Sequence, residues 1–164
     1  MVSSLLLPAK PSFCIGVISD THGVLPPGLA GRFSGVDAIL HAGDIGEGAL
    51  LEKLAAIAPL LAVRGNMDFG PWARDLPLTA SLEAGAVRIV VVHDRQDLAR
   101  APTPPPAQVV VSGHTHRPEI EEAGGVLYLN PGSAGFPRRG EPASLGLIRI
   151  ASGKAEAELI YLPD

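Results

Sequence analysis

The sequence predicts a mixed α/β fold in which two sheets pack face to face with helices outside. Two observations carry this expectation. In the first half, short apolar runs rich in branched residues alternate with a segment of helical spacing. In the second half, strand-like runs are separated by tight glycine turns, the mark of hairpins. A length of 164 residues suits one domain with a core that needs no staple. The expected division is an irregular leader at 1–12, punctuated by Pro8 and Pro11, followed by a single domain at 13–164.

The elements follow in order. Phe13-Cys14-Ile15-Gly16-Val17-Ile18 has the length of a buried strand, and Ala38-Ile39-Leu40 is the next. Leu50, Leu54 and Ile57 share one face of a helix that Pro59 ends. Leu60-Leu61-Ala62-Val63, residues 87–92 and residues 109–111 read as further core strands. Gly85 and Gly124-Gly125 mark hairpin turns, and strands at 145–150 and 155–161 flank Ser152-Gly153. Between them, residues 101–107 carry Pro102, Pro104, Pro105 and Pro106, which exclude helix and predict a stiff, extended crossover.

Composition removes several function classes. With 46% hydrophobic and 18% charged residues, the chain is globular rather than disordered. A net charge of −4 lacks the basic excess of a dedicated nucleic-acid binder, so no stable nucleic-acid complex is expected. Leu5-Leu6-Leu7, cut short by Pro8, is too brief for a secretory core or a membrane span, which predicts a cytoplasmic protein without membrane association. The single cysteine, Cys14, has no internal disulfide partner, and its apolar neighbours place it in the core.

Four of the five histidines stand beside glycine, aspartate or another histidine at the end of an expected strand. Asp20-Thr21-His22 follows the first strand. In an extended segment residues two apart point the same way, so the pair is suited to grip one cation. His41-Ala42-Gly43-Asp44 follows the second, where glycine lets the chain turn and Asp44, with two oxygens, is suited to bridge two cations. His41 lies on the strand itself and is read as a hydrogen-bonded core histidine. Asn66, in Arg64-Gly65-Asn66-Met67-Asp68, offers an amide oxygen. His93 closes the run at 87–92, and His114 and His116 follow residues 109–111. Five strand ends, each followed by a ligand-type residue, are expected to meet at one sheet edge, where open α/β sheets place their sites.

Asp20-x-His22, Gly43-Asp44, Gly65-Asn66-x-Asp68, His93 and Gly113-His114-x-His116 resemble the ordered signature of the calcineurin-like metallophosphoesterase superfamily. The compact length and Asn130-Pro131-Gly132-Ser133 resemble its small prokaryotic phosphodiesterase branch. The resemblance implies a four-layer α/β/β/α sandwich. It also assigns Asp20, His22, Asp44 and His116 to one metal, and Asp44, Asn66, His93 and His114 to the other. Asp44 and His114 are the candidate catalytic residues. Two positions depart from the pattern: Met67 stands where many members have a histidine able to protonate the leaving group, and Asp94 where similar proteins often have glycine.

The implied activity is that of a two-metal phosphoesterase, phosphodiesterase before monoesterase, with a metal-bridging hydroxide attacking a small phosphate ester in line. Mixed imidazole, carboxylate and amide donors suit manganese first, with nickel, iron or zinc as alternatives. The rival expectation is a catalytically weak binding or scaffold protein of the same fold, similar to the metallophosphoesterase-like retromer subunit. Exposed hairpin edges would also allow a homo-oligomer.

Overall fold

The computed structural model describes residues 3–100, 106–138 and 140–163. Two mixed sheets face each other, as the sequence predicts. One has five strands: β2 (Ser12–Ile18), β3 (Ala38–His41) and β4 (Leu60–Ala62) run parallel, and β10 (Ser144–Ala151) and β11 (Lys154–Tyr161) extend it antiparallel in the order β11-β10-β2-β3-β4. The other has six, in the order β1-β5-β6-β7-β9-β8, built from β1 (Ser4–Leu6), β5 (Thr79–Ala84), β6 (Val87–Val92), β7 (Val109–Val111), β8 (Pro118–Ala123) and β9 (Val126–Pro131). Within it β6, β7 and β9 are mutually parallel.

Side-chain alternation explains the layers. Ile15, Val17, Leu40, Ile89, Val91, Val109, Val111 and Ile148 all enter one core between the sheets. Their neighbours Ile18, Ile39, Leu145 and Leu147 face the other way, onto Leu29, Phe33 and Leu54. These last residues come from α1 (Leu29–Arg32), its C-cap and α2 (Gly48–Ala55), which form the helical layer over the five-stranded sheet. Gly16 makes room there, because a Cβ at that position would lie 3.0 Å from the Phe33 ring. Over the six-stranded sheet the helical layer is slighter. The helical segment that follows one of its strands, among the described residues, is a 3₁₀ turn at Arg95–Ala99 after β6.

One expectation is corrected here. The leader at 1–12 is not irregular throughout: Ser4, Leu5 and Leu6 pair in parallel with Ser81, Leu82 and Glu83 of β5, and Leu7 is buried. The unpaired edge of β5 captures the apolar run, and such tertiary pairing outweighs the local proline signal. Of the proline-rich crossover, residues 101–105 lie outside the described residues. The expected hairpins form at Gly85, Gly124-Gly125 and Ser152-Gly153, all at the end of the sandwich away from the C-termini of the parallel strands. No helix among the described residues is long and apolar enough to cross a membrane.

Candidate metal centre

All seven candidate residues gather at one end of the sandwich, beyond the C-termini of β2, β3, β4, β6 and β7. The gathering is not at one sheet's edge, as expected, but across two sheets. Asp20, His22, Asp44 and Asn66 follow strands of the five-stranded sheet, while His93, His114 and His116 follow strands of the six-stranded one.

The backbone here is also not extended, which corrects the reasoning applied to the two i, i+2 pairs. Among the described residues six non-glycine residues have a left-handed φ, and five of them are Asp20 (51°), His22 (45°), Asp44 (54°), His114 (69°) and His116 (59°). Such conformations cost about 1–3 kcal/mol each and persist only where the surroundings enforce them. Enforcement is visible. The amides of Asp20, His22 and Gly23 donate to the carbonyls of Gly43, Asp44 and Ile45 at 3.0, 3.0 and 2.8 Å, which continues the β2–β3 pairing past the strands. A bond from Thr115 N to Gly113 O at 2.8 Å closes a γ-turn around His114.

Asp20, His22, Asp44 and His116 each offer one ligand atom within 4.8 Å of all the others. Asp20 Oδ1 lies 3.3 Å from His116 Nε2 and 4.0 Å from His22 Nε2, and the two Nε2 atoms are 3.4 Å apart. His116 Nδ1 donates to the Phe136 carbonyl at 2.8 Å, so its Nε2 presents a lone pair inward. Asp20 Oδ1 is, among the described residues, the one buried side-chain polar atom with no hydrogen-bond partner. A lone-pair oxygen facing lone-pair nitrogens in a buried pocket is what a divalent cation satisfies. The residues present therefore fit a metal ion.

The second cluster adjoins the first through Asp44. Asp44 Oδ2 lies 3.8 Å from His22 Nε2, and Oδ1 lies 3.4 Å from His93 Nε2. His93 Nδ1 donates to the Ala42 carbonyl at 2.7 Å, which turns Nε2 toward Asn66 Oδ1 at 2.9 Å. His114 Nδ1 reaches the same Asn66 oxygen at 3.0 Å. Two rings and one amide oxygen thus converge beside the second Asp44 oxygen.

Charge is tuned by burial and by neighbours. Burial pushes the Asp20 carboxyl up to about 6, against the hydrogen bond from Ser19 Oγ at 2.6 Å. Asp44 goes the other way: burial opposes ionisation, but hydrogen bonds from His93 and the Met67 amide outweigh it and hold the carboxyl below its usual value. His93 is also desolvated, yet its bond to Asp44 raises it. For His116 burial prevails and lowers it. His41, fully buried as expected for a core histidine, is driven down to about 3 by desolvation and by His93. Its Nδ1 accepts from Gly43 N at 3.2 Å and its Nε2 donates to Thr21 Oγ1 at 3.0 Å, so it braces both ligand loops.

Several residues of the motifs brace the ligand loops, a role the sequence does not reveal. Asp68 accepts from the amides of Ile45 and Gly46 with one oxygen and from Gly65 with the other, at 2.8–3.0 Å, locking the Asp44 and Asn66 loops together. Ser133 Oγ donates to Asp20 O at 2.8 Å, and Asn130 Nδ2 to Gly113 O at 2.8 Å. The signal available was only that these residues follow or border the ligand motifs. Met67 is exposed and contributes its amide, at 2.8 Å from Asp44 Oδ1. Asp94 caps the 3₁₀ turn by accepting from Gln96 N, with its other oxygen 3.8 Å from His114 Nε2. Arg95 is committed elsewhere, paired with Glu121 at 2.6 Å and stacked on Tyr128.

A two-sheet α/β sandwich with imidazole, carboxylate and amide donors at its parallel strand ends defines a class of metal-binding α/β proteins. Residues 13–153 match the model of the calcineurin-like phosphoesterase superfamily domain, and the chain belongs to that superfamily. It is 37% identical over 158 residues to a probable metallophosphoesterase of Methanothermobacter thermautotrophicus, covering 89% of this chain and 91% of the relative. Among solved structures it is similar to a novel archaeal phosphodiesterase, with TM-score 0.71 and 26% identity over 91% of this chain and 99% of that one. Vacuolar Protein Sorting 29 from Cryptosporidium parvum shares the fold at TM-score 0.73 and 20% identity, covering 94% of this chain and 100% of that one.

Proposed function

We propose that this protein is a two-metal phosphodiesterase acting on small phosphate esters. The observation that carries the reading is the position of Asp44, whose two oxygens face two different donor clusters at 3.8 and 3.4 Å. Asp20, His22 and His116 would hold one cation with Asp44, and Asn66, His93 and His114 the other. Manganese is the first choice for such mixed nitrogen and oxygen donors, ahead of nickel, iron and zinc. Two bound cations supply Lewis-acid stabilisation of phosphate charge and an activated water.

The chain's own residues set the rest. Asp44 stays ionised because its hydrogen bonds outweigh its burial, so it is ready to take positive charge. The Ala42 and Phe136 carbonyls accept from Nδ1 of His93 and His116, which turns Nε2 of each ring toward the cation site. His114, the most exposed of the site histidines with a 43% exposed side chain, is the one nearest an incoming ester. Met67 carries no proton to give, which favours diesters whose leaving group departs as a stable anion. The test is a hydrolysis screen over diesters, monoesters and nucleotides with manganese, nickel, zinc and magnesium in turn, beside elemental analysis of the loaded chain. Diester turnover with two metals per chain is expected. Full activity at one metal per chain, or no turnover with any metal, would overturn the reading.

A further inference from the structure

The two flanks of the site differ in a way that bears on the substrate. Beside His116 a cavity of about 480 Å³ is walled by Arg117, Glu119, Arg138 and Glu141 and has no large apolar side chain in its lining. Beside Asn66, His93 and His114 lies a cavity of about 550 Å³ whose outer wall includes Arg64, Phe69 and Leu78. Phe69 and Leu78 are 69% and 62% exposed. Single exposed apolar residues are ordinary, but two on one cavity that opens onto a polar site indicate a ligand surface.

Their backbones are pinned although their side chains are free. Asp68, directly before Phe69, holds three amides. The amide of Arg64 donates to Pro77 O at 2.9 Å, which fixes the segment entering Leu78. Of the cavity's two arginines, Arg100 is engaged by Asp97 at 3.2 Å. Arg64 is half-buried, and no ion pair engages its guanidinium among the described residues. A presented aromatic face, a second apolar wall and a free cation suit a planar ring attached to an anionic group.

We infer that this cavity seats an aromatic ester arm of the phosphodiester, a nucleobase or aryl group lying on Phe69, while the charged cavity beside His116 faces the opposite, polar side. The inference rests on the phosphodiesterase reading above and names its substrate class. Substrates that share one leaving group isolate the arm: p-nitrophenyl esters of thymidine 5′-phosphate, phenyl phosphate and methyl phosphate all release p-nitrophenolate. With the manganese-loaded chain, kcat/KM is expected to favour the thymidine and phenyl arms over methyl by about tenfold, the scale of one ring stacked on one aromatic side chain. That preference should vanish in Phe69→Ala and return in Phe69→Tyr. Equal kcat/KM for all three arms, or a preference that survives Phe69→Ala, would overturn the assignment and leave the phosphodiesterase reading standing. If none of the three esters is cleaved, that reading fails by itself. The arm site is then judged by calorimetric binding of thymidine 5′-methylphosphate, where weakening in Phe69→Ala supports it and unchanged binding overturns it.

Discussion

The two halves of the candidate centre share one carboxylate but are built differently. The half around Asp20, His22 and His116 is charged and knitted to its own backbone, with Asp20 wholly inaccessible, His116 buried and His22 half-buried. The half around Asn66, His93 and His114 uses a neutral amide, and both Asn66 and His114 are exposed. A buried, anionic pocket binds a cation more tightly than an open one with a neutral donor, because water competes less and charge counts more. The expected consequence is one tightly held ion and one that exchanges, with the substrate entering from the open half.

The largest effect that would sharpen this comparison is expected from Asp44→Ala, since it alone weakens both halves. Outer-shell changes typically cost 10–100-fold in metal affinity, so loss of a shared ligand should lower activity by roughly 10³-fold. Steady-state kinetics at fixed manganese measures it. A loss no greater than that of a one-sided variant would show that the halves are not coupled through Asp44. Next, His22→Ala and His93→Ala should differ in their metal titrations. His93→Ala should keep one tight ion and recover activity in excess manganese, whereas His22→Ala should lose the tight ion. Identical titration curves would remove the distinction between the halves.

A third effect concerns protons in the metal-free chain. Asp20 titrates near 6 when folded and near 3.8 otherwise, so its contribution to stability is full below pH 3.8 and lost as pH rises through 6. His41, depressed from 6.5 to about 3, acts oppositely: stability rises with pH across that interval. Asp20→Asn removes the falling contribution, worth at most about 3 kcal/mol, so the variant's Tm should climb more steeply than the parent's between pH 4 and 6. Thermal melts in chelator at several pH values test this, and parallel curves would refute the burial argument. The smallest effect is expected at the open half. Met67→His should speed alkyl diesters by about tenfold and aryl diesters hardly at all, because only poor leaving groups need the proton. A plot of log rate against leaving-group pKa that stays flat in the parent chain would mean that the proton comes from elsewhere.

Much of the fold was legible because its signals are local. Branched runs such as residues 87–92 and 109–111 became β6 and β7 with the same bounds, and Ser152-Gly153 became a two-residue turn. The seven candidate residues were legible because each follows an apolar run. Their conformation was not, since Asp20 and His22 adopt a left-handed φ while their amides pair with the Gly43 and Asp44 carbonyls of another loop, which no local preference records. Asp68 was invisible as a brace for the same reason: the amides of Ile45 and Gly46 that it binds lie 23 and 22 residues away. β1 was missed because its strand character comes from an edge more than 70 residues distant.

The origin of the ligand loops has a mechanical consequence. At the hairpin end each sheet is closed by covalent two-residue turns, but the two sheets are not joined to each other by the turns there. At the other end, each donor cluster draws residues from both sheets, His116 reaching Asp20 and His93 reaching Asp44. An ion seated in either cluster is therefore a rivet through both layers of the sandwich. Removing it should let the layers breathe at that end first, so chelation is expected to speed amide exchange where β2, β3 and β7 terminate while the hairpin end stays protected.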